Sequence, residues 1–435
     1  MLVRIKKLSI EMAWICLGQF LVVSGGVFGV RLLTYKLSPS IYGDLAIGMT
    51  VAIVAQQAIL LPLGLCSLRF FPVAHEDGQL YVFIKAVKLL LTKATTLIVA
   101  VSVVLLIILF SFGYTKWLWL FTLASLYSIF AGYNIVLDHI QNAARQRKVV
   151  ALHQGIGQWL HFFIPIGLIS LWGARSSIVM FGYIIASLVV LSSQLVFFRN
   201  RILRLIPAAE KIEVPTDILN KYNRQLFHYA WPFATWGLFT WAQIASSRWA
   251  LFYFTDSRNV GLYSVLYQFG CYPIVIFSGM VLQMVSPVFF SQAGAGNDSY
   301  RVTTTLKWNN LLIIMAVMST LVSIAFSWIF HNEIFSLLVA PEYRSVSRLL
   351  PLLVLSGGLF AIGQVINMTF FVKADTKVLI YPKILSAVFG VLLNYLGAYF
   401  YGLNGVVIAG ICFPLMYLSW ILIIYAFSRN RTVDQ

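Results

Sequence analysis

The chain has 435 residues, 60% of them hydrophobic and only 10% charged, with a net charge of +17. A soluble domain carries roughly a quarter of its residues as charges, so most of this surface must face something apolar. Nucleic-acid binding is not the expected use of the positive charge, and neither a cofactor nor a metal is expected.

Apolar stretches recur along the whole length, each long enough to cross a ~30 Å hydrocarbon core as a helix. Helices satisfy their own backbone in lipid. The alternating ten-residue strands of an outer-membrane barrel are absent from the sequence. A basic start (Arg4, Lys6, Lys7) leads into apolar sequence from Ser9 to Tyr35. That is too long for a signal-peptide core, so it reads as a retained first span. In chain order the expected spans are 10–35, 45–69, 87–112, 116–140, 149–172 and 176–198. After a polar segment come 228–254, 260–285, 306–330, 348–372, 378–400 and 404–427. The expected fold is an all-α integral membrane protein of about twelve transmembrane helices. Its organisation is an N-terminal six-helix lobe (1–198), a cytoplasmic linker (199–227) and a C-terminal six-helix lobe (228–435). Cys16, Cys66, Cys271 and Cys412 all lie in or beside apolar spans without paired spacing, and read as small buried hydrophobes.

The charges test this map. With both termini cytoplasmic, the inside segments hold 23 of the 31 Lys and Arg, the outside segments seven, and Arg248 falls within a span. That is the excess expected of cytoplasmic loops, and it explains the net charge as topology and contact with anionic lipid.

The two halves also resemble each other. Lys148-Val-Val-Ala-Leu is echoed by Lys377-Val-Leu-Ile-Tyr, and Leu171-Trp172-Gly173-Ala174 by Phe400-Tyr401-Gly402-Leu403, both 229 residues on. Arg31, followed by Ile41-Tyr42-Gly43-Asp44, is echoed by Arg248, followed by Val260-Gly261-Leu262-Tyr263. Six spans against six, both starting inside, make a parallel repeat, an arrangement transporters use with the substrate site between repeats.

Enzymatic chemistry is not visible. There is no P-loop, no His-Glu-x-x-His, no Gly-x-Ser-x-Gly, and Gly155-Ile-Gly157 lacks the third glycine of a dinucleotide loop. All fourteen acidic residues, Asp138 among them, fall at expected span ends or in loops. The expectation is therefore a bundle without an interior carboxylate, which counts against cationic substrates.

Positive charge does enter the spans. Arg248 lies about seven residues past the middle of its span, or ~10 Å at 1.5 Å per residue, and Arg31 slightly further out in the equivalent span. Two readings stand for each. The side chain snorkels to the interface, or it lines a cationic cavity for phosphate or pyrophosphate, which arginine binds through two parallel hydrogen bonds. Trp241 shares a helix face with Arg248 and suits a sugar ring, although a core role is open. Gln56, Gln57, Gln158, His161, Gln243, Gln268, Gln364, Asn367 and Asn394 mark inward faces. Each is either an interhelical hydrogen bond or a substrate contact. Gly25-xxx-Gly29 predicts close helix packing.

Leu37-Ser38-Pro39-Ser40-Ile41-Tyr42-Gly43 resembles the turn after the first span of polysaccharide transporters and O-antigen flippases. Leu68-Arg69-Phe70-Phe71-Pro72, Val260-Gly261-Leu262-Tyr263, Ala340-Pro341-Glu342-Tyr343 and Tyr401-Gly402-Leu403-Asn404-Gly405 are similar to that family's later landmarks. The resemblance covers nearly the whole chain. The family belongs to the multidrug/oligosaccharidyl-lipid/polysaccharide exporter superfamily, which implies a V-shaped, two-lobed bundle, alternating access and a polyprenyl-pyrophosphate-linked saccharide as substrate. It further implies a bacterial inner-membrane location and glycan-assembly partners such as a polymerase and a chain-length regulator. Arg31 and Arg248 look like the cavity arginines of such flippases, with Trp241, Gln56 and Gln243 as further candidate substrate contacts. Many relatives place an Asp just before the second arginine; this chain has Ser247. Rival readings are a drug exporter of the same superfamily and a non-transporting membrane component of glycan assembly.

Overall fold

The computed structural model describes residues 2–206, 216–293, 299–372 and 377–430. These residues are almost wholly helical. Ten stretches among them are long and apolar enough to cross a membrane. The last, Ile380–Ala426, contains two helices because Gly402 breaks it with φ 56° and ψ −132°. One more helix, the 39-residue Thr216–Phe254, is of spanning length but too polar to be among the ten. Counting these gives twelve helices among the described residues, as expected for a multi-pass membrane protein.

They are α1 Leu2–Lys36, α2 Pro39–Glu76, α3 Leu80–Ser111, α4 Thr115–Ala143, α5 Arg147–Trp172 and α6 Ser176–Ile202. Then come α7 Thr216–Phe254 and α8, which joins Ser257–Gly270 to Tyr272–Ala293 at Cys271. Next are α9 Ser299–Leu338 and α10 Pro341–Val372, whose first nine residues are a 3-10 turn. Finally, α11 (380–401) and α12 (403–430) flank Gly402.

Several elements are longer than their expected spans. The second is one 38-residue helical run carrying a π turn at Gln56–Leu60. The ninth reaches Leu338 past a kink at Phe330, where φ is −109°. Of the expected linker 199–227, residues 199–205 continue α6 as π and 3-10 turns, and 216–227 are already α7. Residues 207–215, including Lys211, lie outside the described residues.

The chain separates into two compact units, Met1–Trp241 and Ala242–Gln435, and the division falls within α7. In the first unit α1 lies along α5, while α4 packs against α2 and α6. The expected glycine contact is present: a Cβ on Gly25 would press on Gln158 and Trp159, and one on Gly29 would fall inside the Phe162 ring. One end of this unit closes over a core of Leu63, Phe71, Phe83, Val136, Ile202 and Leu226, the last supplied by α7. In the second unit α10 is the central helix, contacted by α8, α9 and the α11–α12 pair, with Ile366, Phe370, Tyr417 and Ile421 in its core. Large apolar side chains such as Val101, Ile107 and Phe110 on α3, and Leu321, Val322 and Phe326 on α9, stand exposed. That is the surface a protein presents to acyl chains rather than to water.

The repeat is visible in the backbone. Gly173 ends α5 with φ 87°, and Gly402, 229 positions later, ends α11 with φ 56°. In each half the arginine-bearing helix also stops a few residues on, and a polar side chain caps the next helix. Ser38 Oγ accepts from the Ile41 N–H at 3.5 Å, and an Asp256 carboxylate oxygen accepts from the Asn259 N–H at 2.7 Å. Both are N-caps of the ordinary kind.

Candidate functional site

Three of the five expected contact residues belong to the first unit. Arg31 sits on α1, five residues before its end, half-buried. Its guanidinium makes no hydrogen bond or ion pair to any described residue. Gln56 opens the π turn of α2. A π turn inserts one residue into the helical ladder and turns neighbouring side chains out of register, which is why such turns recur at functional sites. Here the Gln56 Nε2 and Gln57 Oε1 atoms are buried without a partner, as is Thr240 Oγ1 on α7. Buried polar atoms are otherwise paired as a rule. α7 crosses α2 at this point, with Gly237 against the Gln57 carbonyl, where a side chain would collide. Trp241 is fixed by the same crossing: its indole Nε1–H donates to the Thr50 carbonyl at 2.7 Å. The indole nitrogen is therefore committed to protein, and only the ring face of Trp241 remains to serve as a stacking platform.

The second unit holds the other two. Gln243 is half-buried, and its carbonyl accepts from Ser246 Oγ at 2.8 Å; Ser246 in turn accepts from Asn394 Nδ2 at 2.8 Å. Arg248 is half-buried and turned toward α8. Its Nε–H donates to Ser264 Oγ at 3.2 Å, its Nη1–H to the Ile244 carbonyl at 3.1 Å, and its guanidinium lies 5.7 Å from the Tyr267 ring centre. A guanidinium has five N–H donors, so three are unspent, and no carboxylate among the described residues reaches it. Ser247, next to Arg248 on the helix, donates to the Ile244 carbonyl at 2.9 Å. Asp256, two turns on, is occupied as the cap of α8.

Other inward polar residues act as interhelical ties. His161 bonds the Gly157 carbonyl at 2.7 Å and Ser187 Oγ at 3.1 Å, and Asn367 Nδ2 donates to Tyr417 Oη at 2.8 Å.

Two expectations about charge need correction. α4 runs to Ala143 rather than ending at 140, so Asp138 lies within the helix. Its two carboxylate oxygens accept from Gln154 Nε2 at 3.0 Å and Gln194 Nε2 at 2.6 Å. A carboxylate thus stands inside the first unit, held by α5 and α6. Lys383, counted with the cytoplasmic loop cations, is only 3% exposed, with the Phe360 and Tyr417 rings 5.0 Å and 5.4 Å from its ammonium. Nothing in the spacing of Asp138 announces its partners, which lie 16 and 56 residues away.

No protein-family model matches the sequence, and no curated protein matches it. Solved structures do match the fold over nearly the whole chain. An inward-facing multidrug resistance MATE family transporter of the MOP superfamily superposes with a TM-score of 0.68 at 14% identity, covering 97% of this chain and 99% of the other. The chain shares that fold. The lipid II flippase MurJ, in an inward closed conformation, gives the same TM-score of 0.68 at 15% identity, covering 94% of this chain and 86% of the other. The Vibrio cholerae MATE transporter VcmN gives 0.58 at 13% identity over 98% and 97%. At such identities the likeness extends to the fold and leaves the cargo open.

Proposed function

We propose that this protein is a flippase that carries a polyprenyl-pyrophosphate-linked oligosaccharide from the inner to the outer leaflet of a bacterial inner membrane by alternating access. Two parallel-repeat six-helix lobes, 1–198 and 228–435, would rock about the 199–227 segment, with both termini in the cytoplasm. The protein itself performs no bond chemistry.

The observation that carries this reading is Arg248. A fixed guanidinium within a span costs about 2.5–3.5 kcal/mol on insertion scales. Here it is steadied by a hydroxyl, a carbonyl and a ring rather than neutralised by an acid. Three unspent donors in a fixed fork suit a pyrophosphate, which supplies the missing charge during transport. Arg31, equivalent in the repeat and likewise without an acidic partner among the described residues, is the second anion contact, and the Trp241 ring, Gln56 and Gln243 are contacts for the saccharide. Solved neighbours include a lipid II flippase, whose named cargo is of this chemical class.

Deleting the gene tests the reading. The lipid-linked saccharide should accumulate on the cytoplasmic leaflet, out of reach of a periplasmic glycosidase. Accumulation on the outer leaflet would place the defect after translocation and sink the proposal.

A multidrug-type exporter is the second reading, favoured by Asp138, since cation-coupled carriers hold a carboxylate inside the bundle. It predicts that deletion sensitises cells to lipophilic cations without disturbing the lipid-linked saccharide pool.

A further inference from the structure

The outer face of the first unit carries a groove of about 430 Å³ between α5 and α6 that the flippase reading does not use. Its volume is within the range of small-molecule sites. Two rows of side chains line it, each at the four-residue spacing that keeps a row on one helix face. On α5 the row is Lys148, Leu152, Ile156 and Leu160; on α6 it includes Ser193, Phe197 and Arg201. The two helices are consecutive and joined by a short turn at Gly173, so α5 begins where α6 ends. Both rows therefore finish in a cation at the same end of the groove.

The remainder of the wall is dry. Ser193 is its one hydroxyl, and it is bonded to His153 Nε2 at 2.9 Å, while His153 Nδ1 meets the Val149 carbonyl at 2.8 Å. No donor is left pointing into the groove from these two residues. At the basic end neither cation has an acidic partner among the described residues: Lys148 lies over the Trp14 ring at 5.1 Å and Arg201 over the Phe197 ring at 5.5 Å. Residues 139–152 and 193–206 contain no Asp or Glu and add Arg145, Arg147, Arg199 and Arg204.

We infer that this groove is a binding site for an anionic phospholipid, with one acyl chain along the α5–α6 seam and its phosphate between Lys148 and Arg201. From Lys148 to Leu160 the groove runs ~18 Å at 1.5 Å per residue, against ~15 Å for one leaflet of a ~30 Å hydrocarbon core. That length suits an acyl chain, which ends at the bilayer midplane. A polyprenyl tail runs beyond it. The charge pattern selects the headgroup, because a basic cluster at the membrane surface attracts anionic lipid.

The test titrates the purified full-length protein in detergent with phosphatidylglycerol or phosphatidylcholine of identical chains, read by native mass spectrometry. One phosphatidylglycerol should bind in preference to phosphatidylcholine. Each of Lys148→Gln and Arg201→Gln should weaken it about fivefold, and the pair about 25-fold. Arg199→Gln with Arg204→Gln removes the same charge from outside the groove and should weaken it much less. Ile156→Trp fills the groove and should abolish the preference while the protein remains monodisperse. Equal losses from both charge pairs would reduce the site to general electrostatics and overturn the inference. So would displacement of the phospholipid by a stoichiometric amount of polyprenyl phosphate, which would assign the groove to that tail instead.

Discussion

Replacing Asp138 removes the acceptor that holds α4, α5 and α6 together, and the structure sets the size of the effect. The carboxylate takes one amide N–H from Gln154 at 3.0 Å and one from Gln194 at 2.6 Å. Hydrogen bonds to a charged group contribute about 1.5–3 kcal/mol each. Interhelical bonds in membrane proteins average nearer 0.6 kcal/mol, because the unfolded chain in the bilayer also finds partners. Asp138→Leu loses both bonds and strands two amides, so about 1–3 kcal/mol is expected, a fall in Tm of several degrees. Asp138→Asn keeps one acceptor and should fall between wild type and Asp138→Leu. The sharper test is the cycle with Gln194→Leu. Removing donor and acceptor together is close to neutral where removing one is not, so Asp138→Leu/Gln194→Leu should recover part of the loss. Fluorescence-detected size exclusion after a heat series gives all four values. Additive losses, or an Asp138→Leu protein as stable as wild type, would refute this account of the site.

Other substitutions separate packing from backbone conformation. Gly402→Ala forces a side chain into φ 56°, ψ −132°, costing on the order of 1–3 kcal/mol. Gly167→Ala, which meets nothing within 4 Å, should leave Tm unchanged or raise it. Gly29→Ala must displace the Phe162 ring; combining it with Phe162→Ala should restore membrane insertion and monodispersity that the single change impairs. Trp241→Phe gives up the bond to the Thr50 carbonyl, about 0.6–1 kcal/mol, and keeps the ring. Transport should persist in Trp241→Phe and fall in Trp241→Ala, as a proteoliposome flux assay would show.

What could be read in the sequence was what the bilayer imposes everywhere. Hydrocarbon demands a helix from each spanning segment, so eleven of the twelve helices are marked by apolar length alone. The twelfth, α7, is more polar, and its first half packs into the core beside Leu63 and Phe83 through Leu226. Gly173 and Gly402 could be matched across the halves because a left-handed turn leaves one residue type in both places. Arg248 could be picked out because a charge in a span is rare. Asp138 and Lys383 could not be assigned correctly, since both lie within a few turns of a helix end. Their burial is decided by partners from other helices: Gln154 and Gln194 in one case, Phe360 and Tyr417 in the other. The π turn at Gln56–Leu60 carries no sequence mark, and the groove between α5 and α6 is formed by two rows that lie far apart in the sequence and meet only in the fold.

The central claim, that Arg248 engages the phosphate of a lipid-linked saccharide, is tested most directly in proteoliposomes. The purified protein is reconstituted with a polyprenyl-pyrophosphate oligosaccharide, and the fraction reaching the opposite leaflet is scored by an added glycosidase. Wild type should render the inner pool cleavable, Arg248→Lys should retain part of that rate, and Arg248→Ala should fall to the protein-free rate at equal incorporation. Arg248→Ala moving the lipid as fast as wild type would contradict the account.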